Sequence, residues 1–135
     1  MLEMGAATVN RLELVDRVYG SSSRALLHRA GLREGMRVVE LGCGVGTMTA
    51  WLADQVGPAG SVIAVDTDDR HLEQAQRRCA GRAQTTFRGG DARQTELPEG
   101  QADVVYARLL LMRGPRAETV LSHAHGLLKE GGVVV

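Results

Sequence analysis

Short runs rich in β-branched residues alternate along the chain with longer stretches whose apolar residues recur every three or four positions. The runs read as strands and the stretches as helices, so the alternation predicts a parallel α/β sheet. Two helical stretches come first, Leu12 to Tyr19 and Arg24 to Ala30. Ser21-Ser22-Ser23 before the second offers hydroxyls for an N-cap, and Gly31 stops it. A first strand, Arg37 to Leu41, runs into a glycine loop and then a helix from about Thr47 to Val56, with Met48, Trp51, Leu52 and Val56 on one side. Gly57-Pro58-Ala59-Gly60 breaks that helix, and a second strand spans Ser61 to Asp66. Asp68 and Asp69 are cap candidates for a helix carrying Leu72, Ala75, Gln76 and Cys79, which Gly81 ends. A short third strand reaches Phe87, a loop holds Pro98 and Gly100, and a fourth strand runs from Ala102 to Arg108. Pro115 suits the first turn of a helix from Arg116 to Lys129, which points Val120, Leu121, Ala124, Leu127 and Leu128 inward. Gly131-Gly132 then releases the chain into Val133-Val134-Val135, a fifth strand inside which the sequence ends.

Chemistry concentrates where the strands end. Val38 to Thr47 is a strand running directly into Gly42, Gly44 and Gly46 and then a helix. Glycines allow a sharp turn and let a ligand lie against the backbone, while the helix start offers unpaired N–H donors, so the segment is a ligand cradle. A dinucleotide fingerprint, G-x-G-x-x-G, needs a third glycine where Thr47 stands. Asp66 places a carboxylate at the end of the second strand, where open α/β sheets bind ligands; it suits ribose hydroxyls, or it caps the next helix as Asp68 or Asp69 could.

The actual pattern, E-x-G-x-G-x-G from Glu40 through Gly42 and Gly44 to Gly46, resembles motif I of the class I S-adenosylmethionine (SAM)-dependent methyltransferases, in particular bacterial enzymes acting on small molecules. The resemblance spans roughly residues 20 to 135. It implies a doubly wound, mostly parallel Rossmann-like sheet of order 3-2-1-4-5-7-6, from which this chain would lack the last two strands. It also implies that Glu40 and the backbone of Gly42, Cys43, Gly44 and Gly46 anchor the methionine end of SAM, that Asp66 holds the ribose, and that Thr67 lies beside the adenine. Gly89-Gly90-Asp91-Ala92 looks like the family's adenine-recognition turn, with Asp91 accepting from the exocyclic amine and the Ala92 N–H meeting the ring. Tyr106, Ala107 and Arg108 resemble motif IV, near the sulfonium and the acceptor; Arg108 reads equally as a surface residue or an ion-pair partner. Lys129-Glu130-Gly131-Gly132 resembles the turn before strand five, with Glu130 in place of the usual proline. Tyr19 and Arg24 are candidates for closing over the cofactor. No catalytic side chain is assigned.

Composition narrows the partners. With 16 basic and 16 acidic residues the net charge is zero, so a small-molecule acceptor is expected rather than nucleic acid. No apolar run approaches the ~20 residues of a membrane span, and Met1-Leu2-Glu3-Met4-Gly5 lacks the basic start of a leader, which points to a cytoplasmic protein. Cys43 and Cys79 have no metal-ligand spacing, and His28, His71, His123 and His125 read as surface or packing residues, so no metal is expected. The chain reads as one domain, a helical region over 1–35 and a Rossmann-like core over 36–135, incomplete at its C-terminus. An exposed fifth strand invites a homodimer or strand addition. Beside methyl transfer stand two further readings: a SAM-binding, non-catalytic interaction module, and an NAD(P)-dependent oxidoreductase that tolerates Thr47.

Overall fold

The computed structural model describes residues 6–113 and 116–135. The expectations placed on Met1 to Gly5 and on Pro115 lie outside the described residues. Five strands form one parallel sheet in the order β3-β2-β1-β4-β5: β1 (Arg37–Leu41), β2 (Ser61–Asp66), β3 (Thr85–Gly89), β4 (Ala102–Ala107) and β5 (Leu128–Val134). The strand order reverses between β1 and β4, which pair from Val38↔Val104 to Leu41↔Ala107. That reversal opens a crevice at the carboxyl edge of the sheet.

Strand alternation sorts the core into two faces. Val38, Val62, Val104 and Tyr106 pack with Leu27 of α1 (Ala6–Arg29) and with Met48, Leu52 and Val56 of α2 (Thr47–Val56). Val39, Leu41, Val65 and Val105 point the other way, onto Ala124 and Leu127 of α4 (Ala117–Leu127). Ala64 meets Leu72 and Ala75 of α3 (Asp69–Arg78) on the first face. Helices therefore cover both faces, as a doubly wound sheet requires, because a buried parallel strand must hide side chains on each. No helix among the described residues is long and apolar enough to cross a membrane.

The N-terminal region departs from the sequence reading. The two stretches are one helix, with Gly20 and Ser21–Ser23 inside it rather than capping a second. A glycine costs a helix about 1 kcal/mol against alanine, too little to break one whose end buries Leu27 completely. Gly20 also makes room for an ion pair: a β-carbon there would lie 3.0 Å from Asp16 Oδ1 and 3.1 Å from Arg24 Nη1. Ser22 Oγ donates back to the Tyr19 carbonyl at 3.3 Å, so its hydroxyl is used within the helix.

The end of α4 differs too. The helix stops at Leu127, and Leu128 and Lys129 already belong to β5, paired as Ala102↔Leu128 and then Val104↔Val133. Lys129 to Gly132 bulge out between those pairs. At Gly132 a β-carbon would meet the Ala102 carbonyl at 2.9 Å, so the bulge closes against β4 only with glycine there. Leu121 accordingly faces outward and Leu128 sits on a strand, not on the inner face of α4. Gln76 is exposed, and the fourth strand ends at Ala107, which leaves Arg108 just beyond the sheet.

Candidate functional site

The crevice at the end of β1 and β4 is a cleft of about 600 Å³. One wall is polar and comes from Glu40, the loop from Gly42 to Val45, the end of β2 from Asp66 to Asp68, and Gly90 to Arg93. The rest of the lining is largely aliphatic, from Leu12 and Val15 of α1, Leu109 to Leu111 after β4, and Val120 of α4, with Tyr106, Arg108 and Arg116 among them.

The glycine loop is stitched to β2. Gly42 N and Cys43 N donate to the Val65 carbonyl at 2.8 and 2.9 Å, and Gly44 N donates to Asp66 Oδ2 at 2.9 Å. Gly46 ends the loop in the left-handed region and supplies no side-chain cap to α2, so the first turn of that helix, with Thr47 and Met48 on the cleft, keeps unpaired N–H donors. On its other side Gly46 lies against α3, where a β-carbon would be 2.7 Å from Ala75 Cα.

Glu40 is 3% exposed and points to the α2 face, where Thr49 Oγ1 donates to its Oε2 at 2.6 Å. Burial raises its carboxyl from the usual value to about 7; the Thr49 hydrogen bond and the charge of Arg108 oppose that shift, and Asp66 adds to it. Burial, with the charges of Glu40 and Asp66, pushes the Cys43 thiol far above its ordinary range, so this cysteine packs as a neutral side chain and is no nucleophile. Burial likewise raises the Tyr106 phenol.

Asp68 caps α3, accepting from Arg70 N at 2.9 Å, which frees Asp66 from that duty. Asp66 instead gathers Gly44 N, Asp68 N and the ring of His71. Asp91 is clasped by Arg93, whose N, Nε and Nη2 all donate to its carboxylate, and this holds its carboxyl down at about 2. Arg108 proves to be both an ion-pair partner and a cleft residue: its Nη1 donates to Asp16 Oδ1 at 3.1 Å, while Asp16 Oδ2 accepts from Arg24 at 3.0 Å. With Arg78, which donates to Glu13 at 2.8 Å and to the Val45 carbonyl at 3.1 Å, these pairs lay α1 over the loop.

Of the sequence candidates, Glu40, Gly42, Cys43, Gly44, Asp66, Thr67, Asp91, Ala92, Tyr106 and Arg108 converge on this cleft, whereas Gly46 and Ala107 stand behind it. Tyr19 is exposed and Arg24 lies over Trp51, so the part of α1 that reaches the cleft is Leu12 and Val15 instead. Their three-residue spacing was the available signal. His71, read as a surface or packing residue, packs beside Asp66 and lines the cleft as well, which the sequence reading missed. Leu109 is another residue that spacing could not find. It adopts φ 59°, a strained conformation for leucine costing about 1–2 kcal/mol. Next to it, Leu110 closes on the loop, its Cδ1 3.3 Å from where a β-carbon on Gly42 would lie. No cluster of three His, Cys, Asp or Glu side chains suited to a metal occurs among the described residues.

Against known proteins, a family model described as a methyltransferase domain matches residues 38–132. The demethylmenaquinone methyltransferase of Lactococcus lactis is 34% identical over 111 residues, covering 81% of this chain and 44% of that protein. The arsenite methyltransferase of Aquipseudomonas alcaligenes is 34% identical over 130 residues, covering 89% of this chain and 36% of that protein. The crystal structure of an arsenic(III) SAM methyltransferase from Chlamydomonas reinhardtii superposes with a TM-score of 0.70 at 30% identity, over 76% of this chain and 38% of that one. The chain thus spans under half the length of these relatives.

Proposed function

Since the chain belongs to the family of class I SAM-dependent methyltransferases, we propose that its cleft holds SAM for methyl transfer to a small-molecule acceptor. The observation that carries this reading is one cleft lined together by a buried carboxylate, a bare helix N-terminus and a second carboxylate. The set fits the cofactor's chemistry. Glu40 lacks a full counter-charge, as its raised carboxyl shows, and so favours a ligand ammonium beside it. The N–H groups at the start of α2 suit the ligand's carboxylate. Asp66 accepts from the ribose, Thr67 lies beside the adenine, and Asp91 with the Ala92 N–H meets the base, Asp91 sharing its oxygens with Arg93. Cys43 contributes its backbone, and Arg108 stands toward the sulfonium side, with Ala107 behind it.

When bound, SAM supplies a methyl group on a positively charged sulfur, so little side-chain chemistry is asked of the protein. The chain's work is to orient the reacting groups and exclude water. Leu12, Val15, Leu109, Leu110 and Val120 give the cleft an apolar lining that suits an acceptor with an apolar body. Among the described residues, α1 acts as the roof and the sheet with α2, α3 and α4 as the core of one unit. The oxidoreductase reading is disfavoured: Thr47 occupies the third fingerprint position, and the Lactococcus lactis and Aquipseudomonas alcaligenes relatives are methyltransferases.

Asp66→Ala tests the assignment with S-adenosylhomocysteine, the demethylated product, as probe. We expect calorimetric affinity to fall by about 1–3 kcal/mol through lost charge-assisted hydrogen bonds, with the chain still folded. Unchanged affinity would contradict the ribose assignment.

A further inference from the structure

Asp66 meets the cleft already crowded with donors. Gly44 N donates to its Oδ2 and Asp68 N to its Oδ1, each at 2.9 Å. A third group approaches Oδ1: His71 Nδ1, in the first turn of α3, at 3.3 Å. A carboxylate oxygen accepts and cannot donate, so this contact is a hydrogen bond only with the hydrogen on Nδ1. The ring's other nitrogen, Nε2, is buried without a hydrogen-bond partner, 4.0 Å from Asp68 Oδ2. His71 is thus wedged between the two carboxylates that flank Thr67.

An ionised carboxylate offers about four acceptor positions. Three donors leave Asp66 about one, and they also oppose rotation of the carboxylate about its Cβ–Cγ bond. Two of the three are backbone groups, one on each oxygen, so His71, the one side chain among the three, fills Oδ1 and leaves the free acceptor position on Oδ2. We propose that His71 is a positioning residue for nucleoside recognition, turning the free acceptor position of Asp66 toward a ribose hydroxyl. The inference rests on the assignment of Asp66 to the ribose and adds what aims it. Its consequence is discrimination: the bond that His71 aims exists only for a ligand carrying the hydroxyl, so loss of His71 weakens ribose ligands and spares deoxyribose ones.

The test titrates the wild type, His71→Ala and His71→Asn with S-adenosylhomocysteine and its 2′-deoxy and 3′-deoxy analogues, thermal unfolding establishing that each variant is folded. His71→Ala is expected to lower affinity for S-adenosylhomocysteine about tenfold, while the analogue against which the wild type discriminates keeps its affinity within about twofold. His71→Asn, whose amide nitrogen stands where Nδ1 does, recovers the discrimination. A parallel fall for both ligands marks a merely structural role and overturns the proposal, as does no fall for either. Asp66→Asn separates the two levels: if it leaves the wild type's affinity and discrimination intact, the ribose assignment itself is wrong, whatever the His71 variants show.

Discussion

Gly46→Ala is expected to destabilise the folded chain by about 2–5 kcal/mol, measured by thermal or urea unfolding. Two costs combine. Gly46 has φ 84°, in the left-handed region where a β-carbon costs about 1–2 kcal/mol. That β-carbon would also stand 2.7 Å from Ala75 Cα and 2.8 Å from Ala75 Cβ. Ala75 is fully buried and part of the α3 backbone, so relief demands moving a helix, and overpacking of this kind costs about 1–3 kcal/mol more. The effect should appear in stability before any ligand is added, because Gly46 faces α3 and not the cleft. A variant as stable as the wild type would show that the loop does not press on α3.

Glu40→Gln should move stability and affinity in opposite directions. The carboxyl titrates from its ordinary 4.5 in the unfolded chain to about 7 when folded. Below the unfolded value it is protonated in both states and imposes no cost. As pH rises through the interval the unfolded chain releases its proton while the folded chain keeps it, so stability falls until about pH 7 and stays low beyond it. An amide of the same shape still accepts from Thr49 but carries no charge to desolvate. The variant should therefore match the wild type near pH 4 and exceed it by up to about 3 kcal/mol at pH 8. At pH 8 it should also bind S-adenosylhomocysteine more weakly, having lost the charge that faces the ligand's ammonium. A stability difference independent of pH would contradict the burial of an ionisable group there.

How much of this was legible depends on punctuation. β1, α2 and β2 begin and end where the sequence reading set them, because glycines and Pro58 stop each element abruptly. At α1 the same signals misled: Gly20 and three serines look like a break, but the helix tolerates them because burial of Leu27 and the Asp16–Arg24 pair outweigh weak local preference. The boundary between α4 and β5 was hidden for another reason. Leu128 fits a helical face and a strand alike, and pairing with Ala102 decides it. Motif spacing located Glu40, Gly42, Gly44, Asp66 and Asp91 on one cleft, and Gly46 behind it. It could not locate His71, whose place depends on how α3 leaves β2, or Leu109, whose left-handed backbone has no counterpart in residue type. The aliphatic lining spans three separate segments, α1, the turn after β4, and α4; the Leu12–Val15 spacing marks a helix face, but that these segments meet is a property of the fold.

Calorimetric titration of the purified chain with S-adenosylhomocysteine, and with NADH in parallel, tests without knowledge of the acceptor whether this cleft takes SAM and not a nicotinamide dinucleotide. Saturable binding of S-adenosylhomocysteine and none of NADH is expected. A chain that unfolds cooperatively yet gives no heat with S-adenosylhomocysteine, or that binds NADH in its place, would contradict the assignment of SAM to the cleft.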